Sequence, residues 1–372
     1  MRESKMLGVV FSNMHDSSLG EMTINRTMGS VPVAGRYRLI DFALSNMVNA
    51  GIGNIGVITK SNYQSLMDHL GSGREWDLSR KIGGLVILPP FSNTESGIYR
   101  GSIEALNGIM PYLRHSTAQY VVLSDCDFVA NIDLKHVLEH HIADGSDITV
   151  VYKKQAMHEN SRDFTAFSID SDGRVYDMKI DPVEAGEYNM YVNVAILERE
   201  LLIRLVAEAY SHRNYSFTQD ILQAKVKDLK IGSYHLEGYC ARIQNIQGYF
   251  SASMEMLQPE VRAQLFPRSH PIYTKVRDEV PAKYGLKSHV SNSLVADGCI
   301  IEGHVENSVI FRGVKIGRGA VVKNSVVMQG STIGENATLE HIITDKNVLV
   351  KTGRKLSGAQ SYPVYLPKGT IV

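Results

Sequence analysis

Apolar and polar positions in the first two-thirds of the chain alternate between strand-like and helix-like periods. Short apolar runs predict buried strands, and apolar residues three and four apart predict helices. The predicted strands are 7–11, 55–59, 120–123 and 147–152, and the predicted helices are 37–48, 61–70 (with Ser61 as N-cap) and 134–143. This order predicts a Rossmann-like α/β domain with a mostly parallel sheet, which binds ligands beyond the carboxyl ends of its strands.

The last quarter of the chain has a different period. From Val290 onward, short apolar groups are separated by Gly, Asn and Asp. A six-residue step is typical of a left-handed parallel β-helix, in which each turn stacks its apolar residue on the previous turn. An antiparallel β domain with several turns is the alternative. Val295 and Ile301 are six residues apart, and the same step continues in a second run from Ile310 through Ile316 and Val322 to Met328. After a one-residue slip, Ile333 and Leu339 keep it.

These two periods divide the chain into three parts. Residues 1–257 form the predicted α/β domain, residues 258–285 a linker, and residues 286–372 the β-helix domain. The linker contains Pro259, Pro267, Pro271 and Pro281. This proline spacing predicts an ordered segment that crosses the surface rather than a flexible tether.

Charge and composition exclude several classes of protein. The chain has 39 Lys and Arg against 39 Asp and Glu, so it lacks the basic excess of nucleic-acid or membrane-surface binders. No apolar run approaches the roughly 20 residues of a membrane span, and the N-terminus lacks the cleavage site of a signal peptide. Cys126, Cys240 and Cys299 show neither a zinc spacing nor a disulfide framework, which indicates a reducing compartment and hence the cytoplasm.

A sheet domain followed by a hexapeptide β-helix fits two classes of enzyme. One class comprises nucleotidyltransferases that couple a sugar phosphate to a nucleotide. The other comprises acyltransferases, which need a histidine that faces the groove between β-helices. His304 and His341 lie in the predicted β-helix, although a single histidine on a turn is more often a surface residue.

Three segments carry a resemblance to a known family. They are residues 35–46 (GRYRLIDFALSN), 99–106 (YRGSIEAL) and 292–303 (NSLVADGCIIEG). In this order, and over nearly the whole chain, the sequence resembles the ADP-glucose pyrophosphorylases, also called glucose-1-phosphate adenylyltransferases. The resemblance implies a GT-A-like nucleotidyltransferase sheet. Enzymes of this family join glucose 1-phosphate to ATP and release pyrophosphate and ADP-glucose for glycogen synthesis.

The family's phosphate-binding loop is altered in this chain. The family pattern L-A-G-G-x-G-[ST]-R-L supplies backbone amides and an arginine to the triphosphate. Residues 11–19 read FSNMHDSSL instead, so every loop glycine is lost and Ser18 replaces the arginine. Asn13 and Met14 lie in the altered loop, and Asp16 is an anion where phosphates would lie. Like charges about 4 Å apart repel by roughly 4 kcal/mol at an effective dielectric near 20.

Two further lysines of the family are replaced. The pattern R-A-K-P-A, whose lysine contacts phosphate, reads RTMGS here, with Met28 in place of the lysine. The pattern F-x-E-K-P, whose lysine contacts the sugar phosphate, reads MKIDP, with Asp181 in place of the lysine. Lys179 leaves a register shift open, although a two-residue displacement along a strand moves the group by about 7 Å.

The family normally holds its metal with two aspartates. The counterpart of S-G-D-H contains Asp125 and Asp127, which either reach a metal or are ordinary exposed acids at a strand end. In the counterpart of W-R-D-V-G-T, Arg242 replaces the aspartate. Because a guanidinium cannot ligate magnesium and repels it, we hypothesise that Arg242 occupies the metal position and neutralises the remaining aspartates.

These replacements change what the resemblance implies. No catalytic residue, metal site or cofactor is expected in this chain, and magnesium is expected in a catalytic partner. The chain is similar to the non-catalytic, regulatory GlgD-type subunits, which implies a hetero-oligomer, expected to be a heterotetramer, with a catalytic adenylyltransferase subunit. A homo-oligomer is an alternative for the chain alone, and neither nucleic acid nor membrane is expected as a partner. The alternative function is an active adenylyltransferase with a rearranged site.

Some family positions are retained. Arg26 and Arg38 match basic residues that bind the anionic activator in catalytic relatives; surface arginines or interface ion pairs are the alternative. The resemblance also implies a residual nucleotide or sugar-nucleotide pocket, for which the candidate residues are Gln64, Gly101, Ser102 and Glu104.

Overall fold

The computed structural model describes residues 5–12, 14, 16–90, 99–157 and 162–372. Asn13 therefore lies outside the described residues. The strands before the β-helix are β1 (Met6–Phe11), β2 (Pro32–Val33), β3 (Tyr37–Arg38), β4 (Asn54–Ile58), β5 (Gly84–Leu88), β6 (Tyr120–Asp125), β7 (Phe128–Ala130), β8 (Ile148–Met157), β9 (Thr165–Ile169), β10 (Val175–Ile180), β11 (Gly186–Glu198), β12 (Ile231–His235) and β13 (Cys240–Arg242).

Helices connect these strands. The α-helices are α1 (Leu39–Asn49), α2 (Gln64–Leu70), α3 (Ser102–Gly108), α4 (Met110–His115), α5 (Leu134–Asp144), α6 (Arg199–Ser211), α7 (Ile246–Glu255) and α8 (Pro259–Leu265). Short 3-10 turns cover Asp16–Thr23, Met28–Ser30 and Arg74–Trp76, and Phe217–Gln223 forms a π-helix.

The first part of the chain is built on a nine-stranded sheet. Strands β5, β4, β1 and β6 form a parallel run in that order, and the long strand β11 then pairs antiparallel with β6, β8 and β9. Residues of α1 and α5 pack in one apolar cluster, and residues of α3, α4 and α6 pack in another. The predicted α/β class is confirmed. The sheet is mixed because β11 runs antiparallel to β6, β8 and β9, whereas β1, β4, β5 and β6 run parallel to one another.

Two local predictions near the start of the chain are wrong. Ser61 does not cap a helix, because Asn62 has a left-handed φ of 51° and α2 begins at Gln64 after Tyr63, which makes no side-chain cap. The predicted helix at 37–48 begins only at Leu39. Arg38 belongs to β3, and its amide donates to Asp41 Oδ2 at 2.9 Å, which fixes the first turn of α1.

The last part of the chain forms three parallel sheets of five short strands each. This arrangement confirms the predicted hexapeptide β-helix. Its strands are β14 (Lys283–Tyr284), β15 (His289–Ser291), β16 (Leu294–Val295), β17 (Ile300–Ile301), β18 (His304–Glu306), β19 (Val309–Ile310), β20 (Lys315–Ile316), β21 (Val321–Lys323), β22 (Val326–Val327), β23 (Thr332–Ile333), β24 (Thr338–Glu340), β25 (Ile342–Thr344), β26 (Leu349–Val350), β27 (Lys355–Ser357) and β28 (Val364–Leu366).

The predicted six-residue repeat fails at Met328. Val327, rather than Met328, belongs to the apolar cluster inside the β-helix, together with Val322 and Ile333. Ile310 pairs with Val327 in the ladder between β19 and β22, so the one-residue slip falls before Val327. Met328 instead packs in the core of the sheet domain.

The sheet domain and the β-helix share one apolar core. Val309, Phe311 and Met328 of the β-helix belong to the same cluster as α1 and α5. Helix α8 and the extended residues after it lie within the predicted linker, and the Tyr273 amide donates to Ser45 Oγ of α1 at 2.9 Å. Ile272 is buried against the same core. The boundaries 1–257, 258–285 and 286–372 stay a prediction.

The three cysteines and the helices complete the description of the fold. Cys126, Cys240 and Cys299 are free thiols. Among the described residues, every helix is too short or too polar to cross a bilayer.

Candidate functional site

The altered phosphate loop is bonded to the second altered motif. Asp16 begins the turn Asp16–Thr23 just after β1, and its Oδ1 accepts a hydrogen bond from the Met28 amide at 2.6 Å. The Met28 side chain is buried in the core beneath α1. The Asp16 carboxylate therefore links the altered loop to the backbone of the second altered motif. Met14 packs partly buried against the opposite cluster, and Ser18 is half-buried.

Two positions that correspond to the family's metal-binding aspartates meet in the structure. Arg242 at the end of β13 and Asp127 just after β6 are both buried, and the guanidinium donates to Asp127 Oδ2 from Nη2 and, at 3.2 Å, from Nε. Burial alone would lower the pKa of Arg242, but Asp127 and then Asp125 outweigh it and raise that pKa above its ordinary value. The interpretation of Asp127 as an exposed acid is wrong, because Arg242 compensates its charge. Asp125 is half-buried at the end of β6.

These residues do not fit a divalent cation. Magnesium requires carboxylate or carbonyl oxygens in a near-octahedral set, whereas a guanidinium has only donors and carries positive charge. The described ranges contain no cluster of three or more His, Cys, Asp or Glu side chains that could hold a metal ion. The donor set around Asp127 therefore supports no reaction step through a metal.

Asp181 has a partner within the chain. Its Oδ1 accepts from the Phe164 amide at 3.0 Å, and its own amide donates to the Phe164 carbonyl at 2.9 Å. Asp181 has a left-handed φ of 48°, a conformation that Asp tolerates better than most residues. Asp181 therefore follows the last residue of β10 and binds the Phe164 backbone there. It is an anion at the position where the family has a lysine.

The residual-pocket candidates make structural contacts. Ser102 Oγ accepts from the Phe217 amide at 2.9 Å, and Glu104 accepts from Arg100 Nε at 2.9 Å. Gly101 has no room for a side chain, because a Cβ there would collide with the Tyr215 carbonyl. In a separate part of the fold, the Gln64 side chain is exposed and donates to Asp68 Oδ1 at 2.9 Å.

Arg26 joins the two domains. Its Nη2 lies 2.7 Å from both carboxylate oxygens of Asp345 in the β-helix, and both side chains are buried. The same carboxylate accepts from Tyr365 OH and from the Lys346 amide, each at 2.6 Å. Arg26 therefore forms a buried ion pair between the two domains of the chain, and its role as an anion-binding residue stays a prediction.

Arg38 lines a cleft between the sheet domain and the β-helix. Its Nη1 donates to Ser65 Oγ at 3.1 Å. Burial lowers the pKa of Arg38, the carboxylate of Asp41 raises it, and the positive charge of Arg26 lowers it again, so that the net pKa is about 10. Both domains contribute cations to this cleft and to the depression that adjoins it. The basic residues are Arg36, Arg38, Lys275, Arg277, Arg312, Lys346 and Lys368. We call this set the basic cleft.

Sequence reasoning missed most of the basic cleft. One ladder of the β-helix pairs Ile310, Val327 and Thr344 on successive turns. Two residues after each of them stand three cleft residues, which are Arg312, Gln329 and Lys346. Their constant spacing of 17 residues could have indicated one column of the β-helix. Burial and then the nearby cations Arg38 and Arg26 lower the pKa of Lys346 to about 7.

The two histidines of the acyltransferase interpretation lie apart. His304 stacks on His289 with ring centroids 4.8 Å apart, and its Nε2 lies 3.4 Å from Glu306 Oε2. His341 has a left-handed φ of 54° and its ring lies 6.2 Å from that of Phe250.

Comparison with known families and proteins decides the family. Residues 17–258 match the family described as "Nucleotidyl transferase", and residues 279–360 match "GlmU-like, C-terminal hexapeptide". The glycogen biosynthesis protein GlgD of Bacillus subtilis (strain 168) is 40% identical over 372 residues, which cover 100% of this chain and 98% of that protein. The chain belongs to the ADP-glucose pyrophosphorylase family.

Other members of the family are also similar. GlgD of Geobacillus stearothermophilus is 40% identical over 99% of this chain and 97% of its own length. Glucose-1-phosphate adenylyltransferase of the same organism is 32% identical over 86% of this chain and 84% of its own length. The chain is a GlgD homologue that is related to the adenylyltransferases of this family, which confirms the resemblance seen in its sequence.

Proposed function

We propose that this chain is a regulatory subunit of glycogen biosynthesis. It does not form ADP-glucose itself, and it raises the activity of a catalytic glucose-1-phosphate adenylyltransferase with which it assembles, as a heterotetramer, in the cytoplasm. The observation that carries this proposal is the hydrogen bond from the Met28 amide to Asp16, which ties the altered phosphate loop to the second altered motif. Full-length similarity to two GlgD proteins supports the same role.

The altered phosphate loop, residues 11–19, opposes catalysis for an electrostatic reason. Nucleotidyl transfer builds negative charge on phosphoryl oxygens, and enzymes stabilise it with backbone amides and fixed cations. By comparison with the family motifs, Asp16 puts a negative charge in the phosphate loop, and Met28 puts an apolar side chain where the family has a lysine. Loss of a single such donor typically costs about 100- to 1,000-fold in rate, so losses in several motifs leave no useful turnover.

An active enzyme with a rearranged site is less well supported. That alternative needs Asp125 or Asp127 together with a second metal ligand. Asp127 is already paired with Arg242, and within the described residues no third acidic, cysteine or histidine side chain completes a set.

The basic cleft supports a regulatory role at another place. It lies between the domains, and the buried Arg38 reaches into it. Its excess of positive charge suits a small phosphorylated anion, which Lys and Arg recognise through charge-assisted hydrogen bonds. We propose that an effector of this kind binds there and reports to the catalytic partner through the shared core.

The experiment is a titration of this chain into a purified catalytic homologue at fixed concentration. ADP-glucose formation from ATP and glucose 1-phosphate is measured at each ratio, and light scattering after size exclusion gives the stoichiometry. We expect a saturable rise in rate at a defined ratio, together with a co-eluting complex. Unchanged activity and separate elution at every ratio would refute the proposal.

A further inference from the structure

We propose that Arg242 is a resident cation that replaces the divalent metal of this site and fastens residues 162–164 against it. The proposal concerns the internal chemistry of the sheet domain and does not depend on association with a catalytic subunit. It explains why the site keeps a buried aspartate although the chain has lost the other metal-binding carboxylate.

The guanidinium satisfies the charge of the buried carboxylate. Two of its nitrogens, Nε and Nη2, donate to the same oxygen of Asp127, and both side chains are more than nine-tenths buried. A buried carboxylate needs a compensating charge, and a metal supplies that charge in an enzyme. Because the arginine is part of the chain, the compensation is permanent and requires no ion from solution.

The third nitrogen of the guanidinium extends the contact to a neighbouring segment. Arg242 Nη1 donates to the Asp163 carbonyl at 3.1 Å, and Gln244 Nε2 donates to the same oxygen at 2.9 Å. Gln244 also reaches the Arg162 carbonyl at 3.3 Å. Two side chains at and just after the end of β13 therefore hold two consecutive carbonyls of the segment 162–164.

The other end of the segment is held by a second altered position. Phe164 exchanges two hydrogen bonds with Asp181, one to its carboxylate and one from its amide. The ring of Phe164 is buried with Met190 in a small apolar cluster. Arg242 and Asp181 thus both stand where the family has functional residues, and both now bind residues 162–164.

A metal could enter this site only after these contacts break. Arg242 would have to leave Asp127 and Asp163, and its buried charge would have to find another partner. We therefore expect the chain to fold equally well with and without divalent ions, and to bind none at Asp127.

The decisive variant is Arg242→Asp, studied in the full chain with Mn²⁺ as the probe. The substitution places two carboxylates together, so electron paramagnetic resonance should detect a Mn²⁺ site at least about tenfold tighter than any in the unaltered chain. Mn²⁺ should also raise the melting temperature of this variant and leave that of the unaltered chain unchanged. Arg26→Asp beside Asp345 is the matched control, and should show no such gain because Arg38 and Lys346 lie nearby.

A second variant tests the segment even if Arg242→Asp folds poorly. Arg242→Lys keeps a positive charge but has one nitrogen, so it cannot hold both Asp127 and the Asp163 carbonyl. Trypsin should cleave after Arg162 several-fold faster in Arg242→Lys than in the unaltered chain, with Gln244→Ala showing an intermediate rate.

Three outcomes would overturn the proposal. One is Mn²⁺ binding by the unaltered chain that is lost in Asp127→Asn. Another is a folded Arg242→Asp variant, judged by circular dichroism, with unchanged Mn²⁺ affinity. The third is an equal cleavage rate after Arg162 in all variants. None of these outcomes bears on activation of a catalytic homologue, so failure of this proposal is distinguishable from failure of the proposed function.

Discussion

The ion pair between Arg26 and Asp345 gives the most quantitative prediction of stability. Asp345→Asn keeps the shape of the side chain and removes its charge. Arg26 is 3% exposed and Asp345 2% exposed, so the arginine is left buried without its counter-ion. Hydrogen bonds from Tyr365 and from the Lys346 amide lose their charged acceptor as well.

The expected loss follows from this burial. Removal of one partner from a buried pair costs about 3–5 kcal/mol, and the weakened hydrogen bonds are part of that figure. The nearby cations Arg38 and Lys346 add repulsion that Asp345 no longer offsets. We therefore expect the free energy of unfolding to fall by about 3–5 kcal/mol in Asp345→Asn.

The assay is equilibrium unfolding in urea, followed by far-ultraviolet circular dichroism. The control is Asp77→Asn, because Asp77 forms an exposed pair with Arg80 at 2.6 Å. Exposed pairs contribute about 0–1 kcal/mol, so the control should unfold nearly as the unaltered chain does. Equal stability of Asp345→Asn and the control would show that the pair does not hold the domains together.

Further predictions concern Lys346, Asp16 and Gly101. The pKa of Lys346 is lowered to about 7, so Lys346 should lose its charge between about pH 6 and about pH 8.5. The affinity of the basic cleft for inorganic sulfate, whose own charge is constant over this range, should fall with it in calorimetric titrations. An equal fall in Lys346→Met would contradict this. The pKa of Lys346 is about 7 in the folded chain and about 10.5 in the unfolded chain. Between these two pH values the unfolded state therefore binds more protons than the folded state, so Lys346 makes the free energy of unfolding rise with pH from about 7 to about 10.5. Asp16→Ala leaves the Met28 amide without its acceptor and should lower the free energy of unfolding by about 1–3 kcal/mol in urea titrations, whereas no change would mean that the loop closes without this bond. Gly101→Ala forces the Tyr215 carbonyl to move and should lower the melting temperature, in contrast to Gly186→Ala, where the added methyl meets no atom closer than 3.5 Å; equal shifts would refute the argument from space.

The sequence predicts the architecture well because periodicity reflects burial directly. Ile316, Val322 and Ile333 repeat closely enough to reveal the β-helix, and the alternating segments reveal the sheet domain. The sequence predicts less well which of two neighbouring apolar residues faces a given core. Met328 is as apolar as Val327, so the pattern alone does not show that one faces the β-helix interior and the other the sheet domain.

The site could be predicted only as a set of substitutions. Comparison of motifs identifies Arg242 and Asp181, but nothing in their spacing shows that both contact residues 162–164. Likewise, Arg26 and Asp345 are 319 residues apart, so their pairing depends on how the domains pack. Contacts of this kind come from tertiary structure, which composition and period do not encode.

The most direct test of the central claim is turnover by this chain alone. The protein is purified from cells that lack any catalytic homologue, supplied with ATP, glucose 1-phosphate and magnesium, and assayed for ADP-glucose by mass spectrometry. We predict no product above that of a heat-inactivated sample. ADP-glucose formation at a rate comparable to that of a catalytic adenylyltransferase would contradict the account.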